Sequence, residues 1–282
     1  MSQSNAGRNI ITRRTFCAST AGVLAAGASA LAQPPQGSGQ RLVEPLYREA
    51  KAEIDHNAAV KRHPLDAALE RARDGLRTIR ENIRDYSATM VKQERIGETV
   101  QEPEYMYAKI RNEKSANGRV VTPFSVYLYF LKPDKVKGRE VIYIRGQNDG
   151  KMIAHEPRDT FYGKFGSVWL RPDGALAMKG NRYPITEIGL ETLVLRLIEK
   201  GTRDKRNGDP NECIVEFRDN AKINGTKCTL LQVTHPYPRD YYDFHIAQIF
   251  IDDARNVPIR YAAYLDRDQI FADLFHKLVG DA

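Results

Sequence analysis

The chain has 282 residues, 41% of them hydrophobic and 28% charged, with a formal net charge of +7. Residues 1–32 hold Arg8, Arg13 and Arg14 and no acid, so without them 40 basic residues face 36 acidic ones, a balance of +4. That mild excess, spread along the chain rather than clustered, argues against a nucleic-acid partner.

The N-terminus reads as an export signal. Thr12-Arg13-Arg14-Thr15-Phe16 sets an arginine pair ahead of a weakly apolar segment, residues 17–31, rich in Ala, Gly, Ser and Thr. This is the pattern of a twin-arginine (Tat) signal, read by the Tat export machinery and cut by signal peptidase, here after Ala32. An ordinary Sec leader holding two arginines is the alternative. The stretch is shorter than the ~20 apolar residues a membrane span needs, and no other segment is apolar enough to cross. Signal peptide 1–32 and export place the mature protein in the periplasm or outside the cell. Residues 33–40, with two prolines and two glycines, read as a linker.

An N-terminal helical segment, 41–62, follows, with Leu42, Leu46, Ala50 and Ile54 in one stripe over 42–56. His63-Pro64 starts a second helix over 64–85, with Leu65, Ala68, Leu69, Ala72, Leu76, Ile79 and Ile83 on one face. From Tyr86 the period changes to two. Strands are predicted at 86–95, 104–111, 124–131, 139–146, 151–156, 167–171, 175–179, 212–218, 227–234, 244–252 and 258–265. Asn148-Asp149-Gly150, Pro172-Asp173-Gly174 and Asn224-Gly225 mark tight turns between antiparallel neighbours. A helix over 184–204, stopped by Gly201, interrupts the run. No βαβ alternation occurs, so the fold class is mainly β (α+β), one antiparallel domain over 63–282.

Several strands are apolar on both faces. Val126, Leu128 and Phe130 oppose Tyr127, Tyr129 and Leu131; Ile142 and Ile144 oppose Val141 and Tyr143; Ile249 and Ile251 oppose Phe250. A sheet with one wet face alternates more cleanly, so both faces are covered or one lines a cavity. The cavity candidates are Val126, Leu128, Phe130, Ile142, Ile144, Ile249 and Ile251. Cys213 and Cys228 are an even pair in an exported chain and form a disulfide candidate, with two buried thiols as the alternative.

Signatures of catalysis are missing: no Gly-x-Ser-x-Gly, His-Glu-x-x-His, Gly-x-x-x-x-Gly-Lys or Gly-x-Gly-x-x-Gly occurs. No catalytic residue, cofactor or metal site is assigned. His235, Asp243, His245 and Asp252 match no standard ligand spacing, and the run Arg203–Arg206 reads as a helix end complementing its dipole.

The blocks Pro123-Phe124-Ser125-Val126-Tyr127-Leu128-Tyr129-Phe130-Leu131-Lys132-Pro133 and residues 137–151, with Tyr183-Pro184-Ile185-Thr186-Glu187-Ile188-Gly189-Leu190 and Val257-Pro258-Ile259-Arg260-Tyr261, resemble an uncharacterised secreted family of planctomycete-type bacteria. The resemblance spans roughly residues 65–270; residues 112–122 are extra sequence in a connection that the family keeps short. That family is similar in layout to LolA-type periplasmic lipoprotein carriers and to the lipid-sensing domain of sigma-factor regulators. The resemblance implies a curved, open antiparallel sheet, a half-barrel closed by helices over a hydrophobic cavity, and carries over no catalytic residue. The leading expectation is a non-enzymatic envelope protein that binds or carries a lipid, an acyl chain or a lipidated partner. Two alternatives stand beside it: an envelope hydrolase or metal-dependent enzyme using the His235–Asp252 segment, and a structural or regulatory envelope protein.

Overall fold

The computed structural model describes residues 62–157, 162–266 and 269–279. Arg13 and Arg14, the linker and the 42–56 helix lie outside the described residues.

Helix α1 (Leu65–Asn82) follows Pro64. His63 caps it: the Leu65 N–H donates to His63 Nδ1 (3.1 Å), and the His63 N–H donates to Asp66 Oδ2 (3.1 Å). Burial, then the nearby Lys205 ammonium, lower the His63 pKa, which suits an acceptor nitrogen. Leu65, Ala68, Leu69 and Ile79 are buried along one stripe, as the four-residue spacing requires.

Fourteen strands follow among the described residues: β1 (Asp85–Ile96), β2 (Thr99–Val100), β3 (Glu104–Arg111), β4 (Lys114–Ala116), β5 (Arg119–Thr122), β6 (Ser125–Lys132), β7 (Glu140–Ile144), β8 (Met152–His155), β9 (Ser167–Leu170), β10 (Ile214–Ile223), β11 (Thr226–Thr234), β12 (Ile246–Asp252), β13 (Val257–Asp266) and β14 (Gln269–Val279). The main sheet runs β10-β11-β12-β13-β14-β1-β3-β6-β7-β8-β9, with β2 beside β1; β4 and β5 pair separately. Every pairing is antiparallel. β10 and β9 remain as edges, so the sheet is open, as expected. Asn148-Asp149-Gly150 joins β7 to β8 with three successive positive φ values (55°, 52° and 73°), and Asn224-Gly225 joins β10 to β11.

Four expectations are corrected. Residues 175–179 are not a strand: Ala175–Met178 is one helical turn, α2, closed by Met178 N–H to Gly174 O (2.9 Å). A four-residue apolar run fits either period. The helix read over 184–204 is a 3-10 turn, Ile185–Glu187, and then α3, Leu190–Asn207. Gly201 does not stop it. A Cβ there would stand 3.1 Å from Leu69 Cδ2, so Gly201 leaves room for the Leu69 side chain of α1 against α3. The cysteines are unbridged. Cys228 sits opposite Ala221, eight residues from Cys213, on the order of 25 Å along a strand, far beyond the ~7 Å Cα limit for a disulfide. Burial, aided by Asp204, pushes the Cys213 thiol up to about 12; burial and Asp252 push Cys228 up to about 11.

Register settles which faces the strands present. Tyr86, Ala88 and Met90 of β1 align with Ile110, Ala108 and Met106 of β3, and these with Val126, Leu128 and Phe130 of β6. This face packs under the helices, where the Tyr86 hydroxyl accepts the Leu190 N–H (2.9 Å). The opposite face carries Tyr107, Tyr127, Tyr129, Ile142 and Ile153, all partly exposed, and ends at Trp169, 51% exposed on edge strand β9. At the other end of the sheet both faces are buried: Leu231 and Ile249 on the helical side, Leu230 and Phe250 on the other, with the Arg260 guanidinium over the Phe250 ring at 5.7 Å. That double burial explains the two-faced apolar sequence of β12; in β6 and β7 the outward Tyr127, Tyr129 and Ile142 are instead partly exposed.

Candidate functional site

Helices α1 and α3 lie antiparallel on the sheet. Lys205 pairs with Asp66 at one end, and Arg80 Nε meets Glu191 Oε1 (2.8 Å) at the other. Two hydrophobic clusters pack with this helical pair: one runs from Ile79 through Val126 and Leu190 to Leu230, Phe250 and Ile259, and the other joins Leu65, Ala68 and Leu69 to Leu231, Val233, Ile249 and Ile251 of β11 and β12.

There an apolar cavity with a free volume of about 80 Å³ opens between the helices and the sheet. Leu65, Leu69, Val194 and Leu197 line it from above, and Leu231, Val233, Ala247, Ile249 and Ile251 from below. From Leu65 to Gly75 it follows α1 for about 15 Å at 1.5 Å per residue. A second cavity, about 100 Å³, lies on the other flank of α3, between Lys92, Glu94, Arg196, Tyr261 and Asp273; Leu197 and Lys200 belong to the walls of both. Helix α3 is therefore a partition with space on each side.

Of the residues singled out from the sequence, Ile249 and Ile251 line the apolar cavity. Val126, Leu128 and Phe130 face the helices but within the solid cluster. Ile142 and Ile144 point to the other face, because Val141 and Tyr143 are the β7 residues in register with the inward Leu128 and Val126. One-residue alternation decides this, and only the register with β6 reveals its phase.

The cavity ends on polar groups at the Leu65 side. His235 continues the inward alternation of Leu231 and Val233 past the end of β11. It is 1% exposed, its Nε2 lies 3.6 Å from Asp204 Oδ2, and Asp204 is 3% exposed and lines the cavity. The imidazole stacks on Tyr242 (centroids 3.6 Å, 11° between planes) and tilts against Phe244 at 5.1 Å. Tyr242 reaches this place because residue 208 is glycine: a Cβ there would stand 2.3 Å from the Tyr242 hydroxyl and 2.8 Å from the Asp204 carbonyl oxygen. Around the rim, Lys200 and Arg203 both bind Asp243. Burial pushes the Asp243 carboxyl up, but hydrogen bonds from Lys200 and Arg203 outweigh it and hold it below the ordinary carboxylate range.

The His235–Asp252 segment does not converge into a catalytic or metal centre. Asp243 belongs to Lys200 and Arg203, His245 Nδ1 lies 2.7 Å from His235 O, and Asp252 accepts the Ala254 and Arg255 N–H groups of the following turn. Among the described residues no three His, Cys, Asp or Glu side chains are placed to hold a metal. Sequence reading missed the Asp204–His235 contact. Its signal was the period-two series Leu231, Val233, His235, which carries a polar residue to the end of an apolar stripe; Asp204 itself reads as one more charge in a helical last turn.

Comparison with known proteins adds the following. The family profile described as "Protein of unknown function (DUF1571)" matches residues 83–270. No curated protein matches the sequence. Among solved structures, the chain is similar to a DUF1329 family protein from Desulfovibrio piger (12% identity, 78% of this chain, 92% of that one, TM-score 0.35). It is also similar to a putative outer membrane lipoprotein-sorting protein domain from Vibrio parahaemolyticus (11% identity, 75% and 90% covered, TM-score 0.32). A LolA superfamily protein from Nitrosomonas europaea is 8% identical, with 75% and 94% covered and a TM-score of 0.29. Likenesses this distant transfer no residue roles.

Proposed function

The chain belongs to DUF1571, a family of proteins of unknown function, and on that premise we propose that it is a non-enzymatic binding or carrier protein of the cell envelope for an acyl chain, a lipid or a lipidated partner. The observation that carries this reading is the apolar cavity between α1, α3 and β11–β13. Ordinary interiors are packed to crystal-like density with few voids larger than a water. A cavity walled by Leu, Val and Ile side chains offers water almost no hydrogen bond and favours apolar occupants. Its volume of about 80 Å³ is smaller than the roughly 150 Å³ site that takes up a benzene, so an acyl chain enters only as α1 and α3 part from the sheet.

Two measurements test this. Protein purified from the envelope should yield lipid by mass spectrometry of an organic extract, and the delipidated protein should enhance the fluorescence of a pyrene-labelled alkyl chain at a stoichiometry near one. Empty extracts together with no enhancement would overturn the proposal. The export half rests on Arg13-Arg14. Changing both to lysine should hold the precursor in the cytoplasm, because a twin-arginine receptor reads the pair itself while Sec needs only positive charge. Undiminished export of the double variant would assign the leader to Sec.

A further inference from the structure

The face of the sheet turned away from the helices carries a surface that the cavity does not use. Register lines up Lys109, Tyr127, Ile142, Ile153 and Trp169 across β3, β6, β7, β8 and β9. At about 4.8 Å between neighbouring strands the row spans roughly 19 Å. Tyr107 and Tyr129 pair two residues further along β3 and β6, and Tyr105 stands beyond them opposite Lys132. The aromatic and aliphatic members of this surface are all partly or well exposed. Apolar side chains scattered singly on a surface need no explanation, but a contiguous patch across five strands marks a contact site.

The charge on this face is one-sided. The outward positions of β3 and β6–β9 hold three cations, Lys109, Arg111 and Lys132, and one acid, Glu140. Among the described residues none of the three cations has an ion pair, and Lys109 and Lys132 are exposed. Their ammonium groups stand over the Tyr107 and Tyr105 rings at 5.8 and 5.7 Å. Glu140 accepts a hydrogen bond from the Tyr127 hydroxyl (2.9 Å). The core of a protein–protein contact is depleted of lysine. A membrane interface instead combines Trp and Tyr rings at the head-group level with lysines whose stems lie on apolar surface and whose ammonium groups reach anionic lipid.

We infer that the outer face of β3 and β6–β9 docks on an anionic lipid surface. Trp169 and the tyrosine rings lie among the head groups, Ile142 and Ile153 lose water between them, and Lys109, Arg111 and Lys132 meet the lipid phosphates. The helices stay on the side away from the bilayer. This surface is separate from the apolar cavity and does not depend on what the cavity holds.

Trp169 is the only tryptophan in the chain, so its emission reports on the patch itself. Protein purified from the envelope is mixed with vesicles of phosphatidylcholine alone, or of phosphatidylcholine and phosphatidylglycerol in equal parts. With the anionic vesicles the Trp169 emission should shift to the blue and the protein should float with the lipid, roughly tenfold or more tightly than with phosphatidylcholine, and less so as salt is raised. Lys109→Glu together with Lys132→Glu should weaken that binding by roughly tenfold or more. Arg73→Glu together with Arg206→Glu makes the same charge change at exposed positions of α1 and α3 and should cost less than about threefold. Every variant keeps the same N-terminus, so the leader accounts for no difference among them. Ala247→Leu, which fills the cavity, should bind vesicles as the unaltered chain does. No blue shift and no flotation with anionic vesicles overturns the docking surface, and so does equal loss from the two double reversals. Self-association through the patch without vesicle binding also overturns it and assigns the face to a second copy of the chain. Should the Lys109 and Lys132 variant not fold, Trp169→Ser on the exposed edge replaces it, and undiminished flotation of that variant overturns the proposal.

Discussion

Ala247→Leu should abolish uptake of an alkyl probe while leaving the melting temperature level or higher. Ala247 is 1% exposed and forms part of the cavity wall on β12, between Val233 of β11 and Ala263 of β13. Three added carbons placed in empty apolar space gain up to about 2 kcal/mol from burial at ~0.8 kcal/mol per carbon, less whatever strain the fit imposes. The control is Ala108→Leu. Ala108 is equally buried but lies in the solid cluster on β3, where overpacking costs roughly 1–3 kcal/mol. Thermal melting of the two variants should shift in opposite directions, and only Ala247→Leu should lose probe uptake. Unchanged uptake by folded Ala247→Leu would place the ligand elsewhere.

The second large effect is on acid stability. His276 of β14 is 1% exposed, opposite Met90, and neither ring nitrogen has a partner among the described residues. Burial alone pushes its pKa down to about 4, whereas in the unfolded chain an imidazole titrates near 6.5. Between these values the unfolded chain binds the proton and the folded chain does not, so stability falls as pH falls from about 6.5 to about 4 and is level above. The full loss is roughly 3 kcal/mol, at 1.36 kcal/mol per pH unit. His276→Leu removes the effect. Urea unfolding of the two proteins at pH 7.5 and pH 4.5 should show the variant's advantage growing by about 2–3 kcal/mol in acid. A difference that does not change with pH would mean that water reaches the ring.

Much of the sheet was legible because alternation survives wherever one face is partly wet. The β3 range was read to the residue, and β1, β6, β11 and β13 to within one or two residues at each end. β14 was missed. Gln269–Val279 holds Ile270, Leu274 and Leu278 at four-residue steps beside Phe271 and Phe275, a spacing that fits a helix as well as a strand. The short hairpin of β4 and β5 falls in the 112–122 stretch that was read as added connection. The site was legible by half. Ile249 and Ile251 declare themselves as apolar strand residues, but which face of β7 turns inward depends on register with β6. The meeting of Asp204 with His235 depends on how α3 lies across β11. Neither is a local property of the chain. The cysteines show the same limit: even number and compartment favour a bridge, and only strand register shows them far apart.

The adjacency of β1 and β14 has a consequence for the order in which the molecule is assembled. Strands β1, β3, β6, β7, β8 and β9 form one meander of near neighbours in sequence, and β10 to β14 form another; Ser87 with Val279 and Glu94 with Ala272 bound the single seam that joins them. Each meander closes short loops and can form early, while the seam joins the first strand of the sheet to the last and carries the highest loop-closure cost. A nascent chain therefore holds β1 and β13 as unpaired edges until its final strand has emerged. Both are sticky edges of the kind that recruit foreign strands, so the slow step of folding and the period of greatest aggregation hazard coincide, and both end when β14 inserts.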